Sequence, residues 1–311
     1  MIGELAAISA AFLWAVASVI YATLGYQVPA LALNLGKGLI AIALLGITIL
    51  AQGLIAHSLT TPNSLLLLLS GAIGIGFGDT VYLEALRFLG VRRTLLLGTL
   101  APPMAACLAL FFLGERPSRL AWLGMGVTLV GVIWVICERV SGDGRRRSPG
   151  SACRPVGDHR PSSSQAAQGL LYALLAALAQ AIGALLSRAA LENTPISPLW
   201  AALLRLLAGV VIVGGWGCLR QQIQGWWQAV KANHLLIRLL AAAFMGTYLG
   251  IWFQQVSLKY TATGISQTLS ATSPLFVLPI AVLLGERVSH RAWLGATLAV
   301  LGVGLLLAQN Q

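Results

Sequence analysis

Residues 274–307 read PLFVLPIAVLLGERVSHRAWLGATLAVLGVGLLL, and residues 103–132 read PMAACLALFFLGERPSRLAWLGMGVTLVGV. The two stretches share LGER, then AWLG and then GV, all at a spacing of 171 residues. A repeat at a constant spacing predicts two copies of one structural unit. Both copies are almost continuously apolar on either side of the GER turn. This pattern predicts helices, since half-buried strands would alternate apolar and polar residues.

The composition places these units in a membrane. Hydrophobic residues make up 58% of the 311 residues, charged residues make up 9%, and the mean hydropathy is +0.83. Soluble domains carry about a quarter charged residues, and a single core could not hide this much apolar surface. The composition therefore excludes a soluble enzyme, a disordered chain and a nucleic-acid module. Most of the basic residues behind the net charge of +11 fall between apolar segments, where they set topology and contact lipid headgroups.

A membrane span needs about 20 apolar residues, and the chain predicts an all-α membrane protein with ten such helices. The first segment carries Glu4 instead of a basic start and is predicted to be a retained span. The stretch SGDGRRRSPGSACRPVGDHRPSSSQ (141–165) predicts a flexible, solvated linker. We therefore expect a five-helix repeat over 1–138, a polar basic linker over 139–167 and a second five-helix repeat over 168–311. The predicted spans are 3–24, 29–51, 65–86, 94–113, 120–137, 168–187, 198–219, 239–258, 263–284 and 292–308.

Five spans per copy is an odd number, so consecutive copies are expected to insert with opposite orientation, as inverted repeats. Loops on the linker's side of the membrane carry 14 Lys and Arg residues, and those on the other side carry four. The positive-inside rule then places the linker in the cytoplasm and both termini outside.

These motifs, together with ALRF (85–88) and SLKY (257–260), resemble the EamA-type family of the drug/metabolite transporter superfamily. The resemblance covers nearly the whole chain except the linker. It implies a ten-helix fold, with a central cavity lined by the first four helices of each half and a peripheral fifth helix in each. It also implies cytoplasmic termini, in conflict with the charge count. It does not name a substrate, because the family handles amino acids, nucleobases, sugars and drugs.

Ionisable residues inside spans are expensive and mark transport sites. Lys37 in span 2 and Arg205 in span 7 occupy near-equivalent places in the two halves. Asp79 lies near the middle of span 3, and Lys37 is its expected partner. Glu84 lies three residues before Arg87 on one helical face, which predicts a structural pair near the membrane surface.

Three interpretations of Arg205 stay open. Its side chain reaches across the repeat interface to Asp79, or it donates to neutral groups such as Gln254, Gln255 or helix carbonyls. The third interpretation is a substrate site, because a guanidinium group suits carboxylate or phosphate. The resemblance supports a structural role as readily, since many members carry a basic residue at the matching place.

Polar side chains recur at helical spacing in four spans, so these faces are expected to point into the protein. Gln180 in span 6 matches Trp14 in span 1. We interpret Trp14, Tyr82, Gln180 and Gln255 as cavity-lining residues, with helix–helix packing as the alternative. Span 3 contributes Tyr82 beside Asp79. The polar faces of the other three spans are Trp14, Ser18 and Tyr21 in span 1; Gln180, Gly183 and Ser187 in span 6; and Tyr248, Trp252 and Gln255 in span 8.

Proline and the GER turns add structural predictions. Pro103 and Pro274 fall at the same repeat position inside spans 4 and 9, where proline frees backbone carbonyls and permits bending or gating. Glu115 and Glu286 are expected to be structural, each beside the start of the next helix. Their turns are followed by Ser118 and Ser289, which are well placed to cap it, and residues 220–238 predict an interfacial amphipathic helix.

The leading hypothesis is a secondary transporter, a permease or exporter, that moves a small anionic or amphipathic metabolite by alternating access between the halves. The alternatives are a non-transporting scaffold and a lipid flippase on the same fold. No nucleophile–base pair, phosphate-binding loop or metal-ligand spacing occurs, so neither an enzyme nor a metal or other cofactor is expected. Expected partners are a small-molecule substrate and the lipid bilayer, with proton coupling and a homodimer as further hypotheses, in the plasma (inner) membrane.

Overall fold

The structure is a computed structural model of the chain, and it describes residues 1–24, 30–53, 61–143, 163–220, 235–283 and 290–308. Within these ranges the secondary structure is helical and contains no strand. Seven helical stretches of these ranges, two of them continuous through a π-helical segment, are long and apolar enough to cross a membrane. The expected membrane fold is therefore supported, while the count of ten spans stays a prediction.

The helices of the two halves follow one another in a matching order. Two π-helical segments, Ala72–Gly78 and Ala243–Leu249, begin 171 residues apart and so occupy the same place in both repeats. The first half contains α1 (Ile2–Leu24), α2 (Ala30–Ala51), α3 (Thr61–Gly71), α4 (Asp79–Gly98), α5 (Ala101–Phe112) and α6 (Arg119–Asp143). The second half contains α7 (Ser163–Leu191), α8 (Pro198–Leu219), α9 (Leu236–Ala242), α10 (Gly250–Tyr260), α11 (Thr263–Ser270), α12 (Ser273–Leu283) and α13 (His290–Ala308).

The matched prolines, which were expected to break spans 4 and 9, each lie in the first turn of a helix. A two-residue turn interrupts the predicted span 94–113, and Pro103 lies in the first turn of α5 just after it. A second turn interrupts the predicted span 263–284, and Pro274 is the second residue of α12. A proline in the first turn of a helix removes an N–H that would have no intrahelical partner, so it is tolerated there.

Helix α4 continues through the stretch where the sequence predicts the loop between spans 3 and 4, and it is not straight. Asp79 and Gly98, at its two ends, line one cavity of about 190 Å³. In a straight helix these residues would be about 28 Å apart. The stretch of α7 that lines the same cavity, residues 173–180, covers only about 10 Å. Helix α4 therefore cannot be straight.

Helices also extend into the predicted linker. Helix α6 ends at Asp143 and α7 begins at Ser163, so both reach into the stretch 139–167 that we expected to be flexible. The rest of the linker, residues 144–162, lies outside the described residues. The same holds for most of the predicted interfacial helix, since residues 221–234 lie outside them as well.

The main contacts that helices of one half make with the other half have equivalent contacts made by the matching helices. Helix α4 packs on α7 while its counterpart α10 packs on α1, and α5 packs on α7 while α12 packs on α1. Two further pairs, α2 with α8 and α6 with α13, are their own counterparts. This pattern is that of two related units joined across a shared interface. Their opposite orientation in the bilayer stays a prediction.

The interior of the fold is built from small side chains. Alanines such as Ala7, Ala41 and Ala105 are fully buried, while large apolar side chains such as Leu50 and Phe111 are exposed on the outer surface. Such a surface suits lipid, and small interior residues allow helices to approach closely. The polar groups that the fold does bury therefore lie at helix–helix contacts.

Candidate functional site

Asp79 lies at the junction between the first π-helical segment and α4, at the contact between the halves. Its Oδ2 lies 3.9 Å from Lys37 Nζ on α2, and its Oδ1 accepts a 3.2 Å hydrogen bond from Gln180 Nε2 on α7. The Lys37 and Asp79 side chains are 27% and 28% exposed. The structure thus brings the two charges together while leaving both within reach of a ligand.

The π-helical segments explain why Gln180 and Trp14 occupy matching places. A π-helical turn disrupts the regular ladder of backbone hydrogen bonds and leaves carbonyls available. Gln180 Nε2 donates to Gly74 O at 3.3 Å, and Trp14 Nε1 donates to Gly246 O at 2.8 Å. Each residue therefore binds a π-segment carbonyl of the opposite half. Gln180 also donates to the carboxylate of Asp79, and Trp14 has no matching bond to an acid among the described residues.

Two cavities meet at Asp79. The larger, of about 190 Å³, is lined by Asp79, Tyr82 and Gln180, and otherwise by small residues. The smaller, of about 20 Å³, has room for about one water molecule and lies beside Lys37. Because Asp79 lines both, its carboxylate forms part of the wall between them. The small residues of the larger cavity are Thr94, Gly98, Ala101, Ala173, Ala176 and Ala177.

Lys37 is also held by an aromatic ring. Its Nζ lies 5.8 Å from the centre of the Tyr21 ring, and the Tyr21 hydroxyl lies 3.1 Å from Thr247 Oγ1. Thr247 and Asn34 line the small cavity beside Lys37. Neither Thr247 nor Asn34 was expected at the site, although both are polar residues in otherwise apolar spans, which is the sequence signal that marks them.

Arg205 is buried behind the site, with 3% of its surface exposed. Its Nε and Nη1 have no hydrogen-bond partner among the described residues, and it lines neither cavity. No ion pair within 4 Å joins it to Asp79, although the two charges interact through space. Its Nη2 packs against Gly74 and Gly183: a Cβ atom added at these glycines would lie 3.3 and 3.6 Å from it. A role for Arg205 in binding substrate therefore stays a prediction, because its side chain lines neither cavity.

Gln255 and Trp14 lie away from both cavities. Gln255 is fully buried, and neither its amide nitrogen nor its amide oxygen has a hydrogen-bond partner among the described residues. It is therefore not the partner of Arg205. Trp14 packs against Gly246 and Gly250, where it serves helix–helix contact. Of the four side chains expected to line a cavity, the structure brings Tyr82 and Gln180 to one.

Comparisons with known proteins agree with the sequence resemblance. A family model described as the EamA-like transporter family matches residues 1–137 and 167–308. A solved structure titled "Crystal structure of protein" has a TM-score of 0.74 and 18% sequence identity, covering 99% of this chain and 97% of its own. At that identity the similarity shows the fold alone. No curated protein matches the chain.

Proposed function

Since this chain belongs to the EamA-like transporter family, we propose that it is a secondary transporter that moves a small metabolite by alternating access. The chain is an integral, multi-pass membrane protein. The transporter works as a permease or exporter, in the plasma membrane. Its substrate passes through the cavity between the two halves, which α5 borders through Ala101, and the helix breaks beside Pro103 and Pro274 serve gating.

One observation carries this proposal: an ion pair of the first half, at its contact with the second half, borders a cavity in the membrane interior. Asp79 and Lys37 are 3.9 Å apart and about a quarter exposed. Ionisable groups inside a membrane are costly and persist where they serve transport. A closed scaffold would gain nothing from leaving both charges accessible.

The charges beside Asp79 favour a substrate with an anionic group. Lys37 and Arg205 place two cations around the single carboxylate of Asp79. Glu84, the next acid along α4, has interactions of its own. The excess positive charge and the unpaired donors of Arg205 suit a carboxylate or phosphate. The alanine-lined wall suits the small apolar remainder of an amphipathic molecule.

Asp79 is also the candidate for proton coupling. The charged and polar groups that face it are Lys37 from α2, Arg205 from α8 and Gln180 from α7, with Tyr82 on its own helix. Protonation of Asp79 would release Lys37 for the anionic substrate. If Asp79 instead keeps its proton-free pair with Lys37 throughout, the transporter works by exchange. A pH-jump uptake assay on Asp79→Asn separates the two, because proton dependence that is unchanged removes Asp79 from coupling.

The transport proposal is tested by ligand-dependent thermal unfolding of the purified protein, with Arg205→Gln and Asp79→Asn alongside. The panel holds organic acids, phosphorylated metabolites, amino acids, nucleobases and lipophilic cations. A ligand at about 100 times its dissociation constant adds about 2.7 kcal/mol of stability. We expect an anion to stabilise the wild type and not Arg205→Gln. Stabilisation by cations alone, lost in Asp79→Asn, would replace the anionic substrate by an amine. No response to any ligand would favour the scaffold.

A further inference from the structure

A network of charged side chains joins the two halves at the membrane face opposite the large cavity. Its centre is Glu115, in the GER turn after α5, and Arg188, near the end of α7. Along α7, Arg188 lies about 12 Å beyond Gln180, the last α7 residue of the cavity wall. The cavity and this network therefore lie at different depths of the same interface.

Glu115 binds the start of a helix in the other half, which corrects the expectation that it serves the next helix of its own half. Its Oε2 accepts a 2.8 Å hydrogen bond from Thr263 N, and its Oε1 accepts one of 3.1 Å from Thr263 Oγ1. Thr263 is the first residue of α11, where a carboxylate complements the helix dipole. Ser118 takes the expected role instead, since its Oγ accepts from Ala121 N at 3.1 Å.

Arg188 connects Glu115 to three further groups. Its Nε donates to Glu115 Oε1 at 2.9 Å, and its Nη1 donates to the carbonyls of Leu258 and Lys259 at 3.0 and 2.8 Å. Its Nη2 donates to Glu192 Oε1 at 2.7 Å. Glu115 is the only member of this set from the first half. The other bonds would survive a separation of the halves, and those of Glu115 would not.

The sequence does not repeat the Glu115–Arg188 pair in the other half. In the repeat, Glu286 matches Glu115, and the alignment of Gln180 with Trp14 matches Arg188 to Ala22. The residue that matches Arg188 is therefore an alanine, which cannot form an ion pair with Glu286. The two faces of the transporter differ in this respect by sequence, although their backbones are related.

We propose that Glu115 and Arg188 form a latch that holds this face closed while the cavity is accessible from the other face. The Glu115 and Arg188 side chains are only 9% and 11% exposed, so the pair is shielded from water and from screening by salt. Opening this face separates α5 and its turn from α7 and α11, which breaks every side-chain hydrogen bond of Glu115 to the second half. The latch rests on the proposed transport function, since it governs the access of the same cavity.

The test measures the reactivity of single cysteines with N-ethylmaleimide in a protein whose four native cysteines are replaced. Ser266→Cys reports on the latch side, because Ser266 is fully buried in α11, one turn beyond Thr263. Ala177→Cys reports on the large cavity. Each reporter is combined with Glu115→Gln and with the control Glu192→Gln. The control removes another carboxylate charge that pairs with Arg188, and it leaves the contact between the halves intact.

We expect Ser266→Cys to react at least about tenfold faster in Glu115→Gln, a factor that corresponds to about 1.4 kcal/mol. Glu192→Gln should leave the rate unchanged. Adding Arg188→Gln to Glu115→Gln should produce little further increase, since the latch is already open. Equal rates in wild type and Glu115→Gln, or an equal increase in Glu192→Gln, would overturn the latch.

Failure of the latch is distinguishable from failure of transport. If Ala177→Cys never reacts in any variant, the cavity is not accessible and the transport proposal fails. If Ala177→Cys reacts and Ser266→Cys does not respond to Glu115→Gln, the latch alone fails. Thermal unfolding of each variant shows whether faster labelling comes from global unfolding, an outcome that would also overturn the latch.

Discussion

Gln180 and Asp79 belong to different halves of the protein and are joined by a 3.2 Å hydrogen bond from the amide nitrogen to the carboxylate. The matching residue of the other half, Trp14, makes the equivalent bond to a π-segment carbonyl but meets no acid. The alignment places Gly250 or Ile251 at the counterpart of Asp79. In both halves a side chain thus binds a carbonyl of the opposite π-helical segment, and only the segment of the first half is followed by a carboxylate, that of Asp79.

Gln180→Leu and Trp14→Phe are a matched pair that separates this carbonyl contact from the chemistry. Each leaves one π-segment carbonyl without its partner, so we expect each to lower the free energy of unfolding by about 1–3 kcal/mol. Only Gln180→Leu also frees the Asp79 carboxylate, so only it should change ligand-dependent stabilisation. Thermal unfolding with and without ligand measures both effects. A comparable loss of ligand response in Trp14→Phe would assign both residues to packing.

Arg205→Met should stabilise the ligand-free protein or leave it unchanged, while abolishing stabilisation by anions. Arg205 is 3% exposed, and two of its nitrogens have no partner among the described residues. Replacing an imperfectly satisfied buried charge by an apolar side chain of similar length is often neutral or stabilising. Thermal unfolding of the ligand-free protein measures this directly. A strong loss of stability would show instead that Arg205 is a structural residue.

Lys37→Met should lower the free energy of unfolding by about 1 kcal/mol, the scale of a partly exposed ion pair, because it leaves Asp79 without its cation. The double variant Lys37→Met with Asp79→Asn should recover most of that loss, since neither charge remains. Transport should be lost in the single variant and should stay lost in the double variant. Chemical denaturation gives the coupling free energy, and uptake into proteoliposomes gives the activity. Purely additive effects on stability would mean that the two charges do not interact.

Gly71→Ala should destabilise the protein by about 1–3 kcal/mol. A Cβ at Gly71 would overlap the backbone of Arg205, which cannot swing away as a flexible side chain can. Helices α3 and α8 would have to separate. Gly126→Ala is the control, because a Cβ there meets nothing within 4 Å. Melting temperatures of the two variants test this contact, and equal values would show that α3 and α8 are not closely packed.

Much of the fold was predictable because the lipid bilayer requires long apolar helices, which are visible in the local sequence. The repeat around the GER turns, the apolar runs and the charges inside them depend on residue types at fixed spacing. They were sufficient for an all-α membrane protein, for the family and for the proximity of Lys37 to Asp79. The residues at which α5 and α12 begin required the structure, because within a long apolar stretch only the prolines mark a break.

The site required the tertiary structure because its contacts join residues far apart in the chain. Glu115 and Arg188 are 73 positions apart, and Asp79 and Gln180 are 101 apart. Which faces of their helices meet depends on the rotation of each helix about its axis, about 100° per residue. A π-helical turn accommodates an extra residue and changes that rotation for everything beyond it. By itself, the sequence determined which residues are costly to bury and how the two halves repeat. The tertiary structure decided which partners those residues have, because two π-helical segments set the faces that the halves present to each other.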